Sequence, residues 1–290
     1  LFSILEEKEI QIRGFKVRLP LDIQFIFTSN PEDYTNRGTI VTPLKDRIGS
    51  QILTHYPESI EIAKKITEQE SKLDSKVISK IHIPEIARDI IEQISFEARE
   101  SDLVDKKSGV SARMSITSLQ NLVSSAERRM IINNEKKTSI RMSDFNSVIS
   151  SINGKVELVY EGEEEGAEQV SYNLISDAVK SLFNKYFPKI EKLSKPGEET
   201  PYDSLLEWFS QKQLVIGDSL NDNEYEELLL EIIDARTIID KYVKDLDDND
   251  RFFFIEFILW GLESFNKLSI LRTNNGIEFK DPFNNFINKI

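Results

Sequence analysis

From Glu58 onward, apolar residues recur at helical spacing in segment after segment, and this periodicity points to a mainly helical fold. Ile60, Ala63 and Ile66 mark one face of a charged helix between Glu58 and Lys72. Pro84 sits where a first helical turn tolerates it, and Ile86, Ile90, Ile91, Ile94 and Ala98 follow on one stripe. Ser108-Gly109 ends that segment. The next helix runs through VSARMSITSLQNLVSSAERRMII, with Ile116, Leu119, Val123, Ala126 and Met130 inward; Ser143 is the expected cap of another through Ile149. Successive helices with no strand between them form a small bundle over residues 58–158.

The composition then shifts. Glu161 to Glu168, EGEEEGAE, carries five glutamates and two glycines, so like-charge repulsion and backbone freedom favour an exposed linker over residues 159–170. A solvated acidic face and a docking patch are the other readings of the same stretch. Residues 171–290 return to helical spacing and form a second, all-helical domain. Val170, Leu174, Ala178, Leu182, Phe183 and Phe187 make a stripe that stops at Pro188. Thr200-Pro201-x-Asp203 has a cap, a first-turn proline and an acid in the order a helix start requires. Asn221 opens a long helix burying Leu228, Leu229, Ile232, Ile233, Ile239 and Tyr242. Phe252 to Leu268 is apolar nearly all round and belongs at the centre of this second bundle. DPFNNFINKI adds a short final turn. None of this half carries a functional signature.

Residues 1–57 read differently. LFSILEEK has the spacing of a helix already under way, so the chain is expected to begin inside a domain. EIQIRGFKVRLP alternates on either side of Arg13-Gly14, a hairpin signal. Ile23 to Phe27 is a short apolar run between Pro20 and the Thr28-Ser29-Asn30-Pro31 break, and its length and residue types favour a buried strand. Asn30 ends that run before a proline, and Pro43-Leu44-Lys45-Asp46-Arg47-Ile48-Gly49 follows a loop.

This ordered set resembles the second half of an AAA+ ATPase core, in the magnesium-chelatase ATPase-subunit and MoxR-like branch. Asn30 in TSNP looks like the sensor-1 asparagine and Arg47 in LKDRIG looks like the arginine finger. Arg113 in SARM stands at the sensor-2 position of a helical lid, although Ala112 replaces the glycine usual before it. The resemblance makes residues 1–57 the end of an α/β core, with hairpin and sensor-1 strand, and residues 58–158 the lid. It implies ATP and Mg²⁺ as cofactors of the intact protein, a homo-oligomeric ring, typically a hexamer, and a partner protein that the ring remodels. The phosphate-cradling loop and the magnesium-holding acids would precede Leu1. No G-x-x-x-x-G-K-[ST] occurs among the eleven glycines, so this chain alone is expected to be inactive. The hairpin reads equally as a finger facing pore or subunit and as a plain edge hairpin.

The roles follow from phosphoryl-transfer chemistry, which is mostly positioning and charge stabilisation. An amide at position 30 hydrogen-bonds a γ-phosphate or the attacking water without adding charge. An arginine at 47 supplies a cation to the developing charge, typically across a subunit boundary, and Arg113 clamps phosphate from the lid. The plainer readings are a turn residue before proline for Asn30 and a surface ion pair with Asp46 for Arg47.

Composition excludes several other classes. A net charge of −13 argues against a general nucleic-acid or anionic-membrane binder, which needs clustered Lys and Arg. With no cysteine there is neither disulfide nor thiolate metal site, and the two histidines, His55 and His82, lack the spacing of a zinc site, so both read as structural. No apolar run approaches the roughly 20 residues of a membrane span, and the expected compartment is the cytoplasm. The rival to the ATPase reading is a helical scaffold that recruits a partner and carries a non-catalytic ATPase remnant.

Overall fold

The computed structural model describes residues 9–18, 24–28, 46, 48–190, 199–273 and 275–282. The protein is mainly helical. It divides into two compact units, Leu1–Tyr56 and Pro57–Ile290.

In the first unit, β1 (Glu9–Ile12) pairs antiparallel with β2 (Phe15–Arg18). Arg13 and Gly14 form the turn with φ of 50° and 88°, the paired positive values of a type I′ turn, whose twist matches its strands. The expected hairpin is therefore present. Its register places Ile12 opposite Phe15 and Ile10 opposite Val17, so four apolar residues share one face. The apolar run Ile23–Phe27 behaves differently from the buried strand expected of it. Residues 24–28 have no regular secondary structure, and Ile26 is 83% exposed. A strand needs a neighbour's hydrogen-bond ladder, and among the described residues none pairs with this run.

The second unit is built from α1 (Ile60–Glu70), α2 (Ser75–Ile78), α3 (Glu85–Glu100) and α4 (Arg113–Ile132). α5 (Ile149–Asn153), α6 (Tyr160–Glu165), α7 (Ala167–Tyr186) and α8 (Asp203–Gln211) follow. α9 (Asp222–Leu230), α10 (Ile233–Tyr242) and α11 (Arg251–Ser264) complete the helices. α7 packs against both α3 and α11. The stripe Ile86, Ile90, Ile91, Ile94 and Ala98 of α3 is buried, as is Val170, Leu174, Ala178, Leu182 and Phe183 of α7. α11 is buried from Phe253 to Leu262 and lies in the core as its all-round apolar sequence requires. Gly261 lets it approach α7 closely: a Cβ there would sit 2.1 Å from the Phe183 ring.

Several sequence expectations need correction here. One hydrophobic cluster runs from Ile81 to Phe279, so no break separates a bundle over 58–158 from a domain over 171–290. The acidic stretch read as a linker is helical, in α6 and the start of α7. It is pinned to the loop before it: Asp105 N–H donates to the Glu157 carbonyl at 2.9 Å and Val159 N–H to that of Leu103 at 3.1 Å. Its glutamates at 161, 163, 164 and 165 stay exposed, so the repulsion is relieved by solvent, and Glu161 and Glu163 lie in a first turn where the helix dipole favours acids.

The C-terminal part is not all-helical. β5 (Leu214–Gly217), β6 (Ser269–Thr273) and β7 (Gly276–Lys280) form an antiparallel sheet in the order β5-β7-β6. Leu214, Ile216, Ile277 and Phe279 face the core, while Val215 and Leu271 are exposed. A second, parallel pairing joins β3 (Ile81–His82) to β4 (Thr138–Ser139). The long helix expected from Asn221 is two helices. Asn221 does cap the first, accepting from Glu224 N–H at 2.9 Å, but the chain breaks at Ile232, which turns into the core and leaves Ile233 68% exposed. Ser143 is no cap either. Met142–Val148 is a 3-10 helix whose start is held by Asp144, accepting from Arg141 N–H at 2.8 Å. Among the described residues no helix is long and apolar enough to cross a membrane.

Candidate functional site

Asn30 and Arg47 lie outside the described residues. Arg113 is the first residue of α4. Its N–H donates to Ser111 Oγ at 3.2 Å and its carbonyl accepts from Thr117 Oγ1 at 2.8 Å, which fixes the backbone and leaves the side chain exposed. Its charge stands at a helix N-terminus, where the macrodipole does not favour a cation.

The same helix forms one wall of a cleft of about 310 Å³, with α1 and α3 as the others. Ile91 and Leu119 give it an apolar floor, and Thr67 and Glu92 are buried beside them. Burial pushes the Glu92 carboxyl above its ordinary range, and hydrogen bonds from the Thr67 and Ser115 hydroxyls work against that shift. Ser115 Oγ in turn lies 2.7 Å from Ser95 Oγ. At the mouth, Lys64 Nζ meets Glu85 and Asp89, each at 2.6 Å. Burial opposes its charge, but the hydrogen bonds to Asp89 and Glu85 prevail and raise its pKa to about 12.

A second polar cluster is sealed inside the unit. Arg129 donates to Asp144 at 2.6 Å and to the Ser139 carbonyl at 2.6 Å, and both ion-pair partners are buried. Arg141 donates to Asp222 at 2.7 Å and lies 4.0 Å over the Tyr225 ring. The Tyr225 hydroxyl donates at 2.8 Å to Glu256, which is fully buried in α11. Burial raises Glu256 to about 7, against the hydrogen bond from Tyr225. The cluster therefore ties α4, β4, the 3-10 helix and α9 to the central helix through groups that are buried except for Asp222, whose side chain is 30% exposed. The histidine side chains join neither site: His82 Nε2 meets Asp250 at 2.5 Å, and His55 Nδ1 meets the Tyr56 carbonyl at 2.8 Å. Among the described residues no group of three His, Cys, Asp or Glu could hold a metal ion.

Sequence reasoning did not single out Glu92 or Lys64, and took Glu256 only as a break in the apolar stretch from Phe252 to Leu262. Glu92 and Glu256 each interrupt an apolar stripe, at Ile90-Ile91-Glu92 and Phe254-Ile255-Glu256-Phe257, and a carboxylate on an inward face is a signal that could have found them. No protein-family model, curated protein or solved structure matches this chain.

Proposed function

We propose that this chain is the C-terminal part of an AAA+ ATPase of the magnesium-chelatase or MoxR-like type. In the intact protein, ATP binding and hydrolysis in an oligomeric ring would drive remodelling of a partner protein. Asn30 orients the γ-phosphate or the attacking water, Arg47 reaches a neighbouring subunit's nucleotide, and Arg113 reports nucleotide state to the helical bundle, which acts as the lid. Mg²⁺ would be held by residues upstream of Leu1.

One observation carries the reading. A tight hairpin precedes the TSNP and LKDRIG motifs, and a helical bundle follows them with an exposed arginine opening its third full-length helix. The order resembles that of the AAA+ family: an amide, a finger, then a cation on a helical bundle, each suited to positioning or stabilising a transferring phosphoryl group. The scaffold reading is favoured by a different observation, the single continuous core within Pro57–Ile290, which builds one solid body.

Turnover in the intact protein separates the two. Arg47→Ala is expected to lower ATP hydrolysis by about a thousandfold or more while nucleotide binding stays nearly unchanged, since a finger acts mainly on the transition state. Asn30→Ala spares binding too, but its defect lies in the other subunit of the interface. Mixed rings of the two inactive variants therefore recover partial activity. An intact protein that does not hydrolyse Mg-ATP, or an Arg47→Ala variant that turns over normally, removes the reading.

A further inference from the structure

The cleft between α1, α3 and α4 has a composition that selects a ligand class. Its deepest charged group is Glu92, 3% exposed, placed where α3 otherwise presents isoleucines. A carboxyl is costly to bury unless something compensates it, and here the compensation is partial: the hydroxyls of Thr67 and Ser115 hold it and the charges of Arg99 and Lys64 favour its ionised form, yet burial still outweighs them. The nearest cation on the wall, Lys64, is already committed to Glu85 and Asp89. Of the other bases lining the cleft, Arg88 leans on Glu85 at 4.0 Å and Lys65 is exposed at the mouth. Glu61 and Glu68 stand on the same rim, so acids outnumber uncommitted bases. The apolar floor of Ile91 and Leu119 fits a short methylene chain, and a volume of about 310 Å³ suits one small side chain or diamine.

From this geometry we infer that the cleft binds an alkylammonium group, with Glu92 as the anchoring carboxylate and the methylene chain on Ile91 and Leu119. The amine comes from either a lysine of a partner polypeptide or a free polyamine. This assignment uses no nucleotide residue and stands independently of the ATPase reading.

The test is a calorimetric and amide-shift titration of the folded chain with 1,5-diaminopentane, with pentan-1-ol as the neutral control and inorganic phosphate as the anion. The diamine is expected to bind with a Kd on the order of 1 mM, shifting amides of α1, α3 and α4, while the two controls do not. Glu92→Gln keeps the shape and loses the charge, and should weaken the diamine about tenfold or more, since a hydrogen bond to a charged group is the interaction removed. Lys65→Glu changes only the exposed rim and should tighten it several-fold, which keeps the inference testable if Glu92→Gln fails to fold. A lysine-bearing tetrapeptide that binds at least tenfold better than the diamine, and loses that advantage when its lysine is acetylated, identifies a partner polypeptide; equal or weaker binding identifies the free amine. Phosphate binding in the cleft, no diamine binding at 20-fold above that Kd, or a diamine affinity indifferent to both substitutions overturns it.

Discussion

The two units use their apolar residues in opposite ways. In Pro57–Ile290 the large side chains are sealed: Trp260, Phe183, Phe209 and Phe257 are among the fully buried residues of one cluster. In Leu1–Tyr56 most of the described apolar residues stay open, with Phe15 at 77% and Ile12, Ile52 and Leu53 also exposed. An isolated two-stranded hairpin is marginal in water, because it has a face and nothing to bury it against. The second unit thus has a sealed core of its own, whereas the described residues of the first leave most of their apolar side chains exposed. On the proposed function, the rest of an α/β core would cover them.

Substitutions can break this contrast, and the largest effect should come from the aromatic core. Phe257 packs with Phe183 at 5.9 Å and with Phe187 at 6.3 Å between ring centroids. Phe257→Ala is expected to cost about 3–5 kcal/mol in urea unfolding, through lost transfer energy and the cavity left behind.

The next effect is one of pH. Glu256 has a folded pKa of about 7, raised from 4.5 by burial. Its folded form holds a proton that the unfolded chain releases, so its contribution is fully present below pH 4.5 and is lost as pH rises through 7. Unfolding followed from pH 4.5 to 8 should show a loss on the order of 3 kcal/mol from this group. Burial raises Glu92 and Glu263 in the same direction, so they add to the trend. Glu256→Gln should flatten most of the slope, and an unchanged slope would place the charge elsewhere.

Smaller effects belong to the first unit. Gly14 has φ of 88° and open space around it, so Gly14→Ala meets no clash and pays only the left-handed conformation, about 1 kcal/mol. Faster amide exchange should appear in β1 and β2 without any shift in the main unfolding transition. Ile26→Ser, at an 83% exposed position, should change stability by less than about 0.5 kcal/mol. A cost near that of Phe257→Ala would mean the run is buried in solution.

Much of the second unit was legible because its helices obey one period. The stripes of α3 and α7, the cap at Asn221 and the all-round apolar α11 follow from spacing alone. What spacing could not show was where chain segments meet. The acidic stretch has a linker's composition, yet the backbone bonds from Asp105 and Val159 hold it in place, and those depend on a loop some fifty residues earlier. The β6–β7 hairpin was a readable miss: Asn275-Gly276 is a turn signal, although the register pairs Gly276 with Thr273 and so places it at the start of β7 and not inside the turn, as Gly14 is. Among the candidate site residues, Arg113 falls at the exposed start of a helix, while Asn30 and Arg47 lie outside the described residues. Glu92 and Glu256 escaped because an acid in a helix is read as a solvated face unless its stripe is examined.

The contrast between the units is tested most directly by equilibrium urea unfolding of residues 57–290, compared with the whole chain. If the second unit holds all the sealed core, both should unfold in one cooperative transition with the same midpoint, followed alike by the fluorescence of Trp208 and Trp260 and by far-ultraviolet circular dichroism. Two separated transitions within residues 57–290, or a midpoint that collapses when residues 1–56 are removed, would contradict the single-core account.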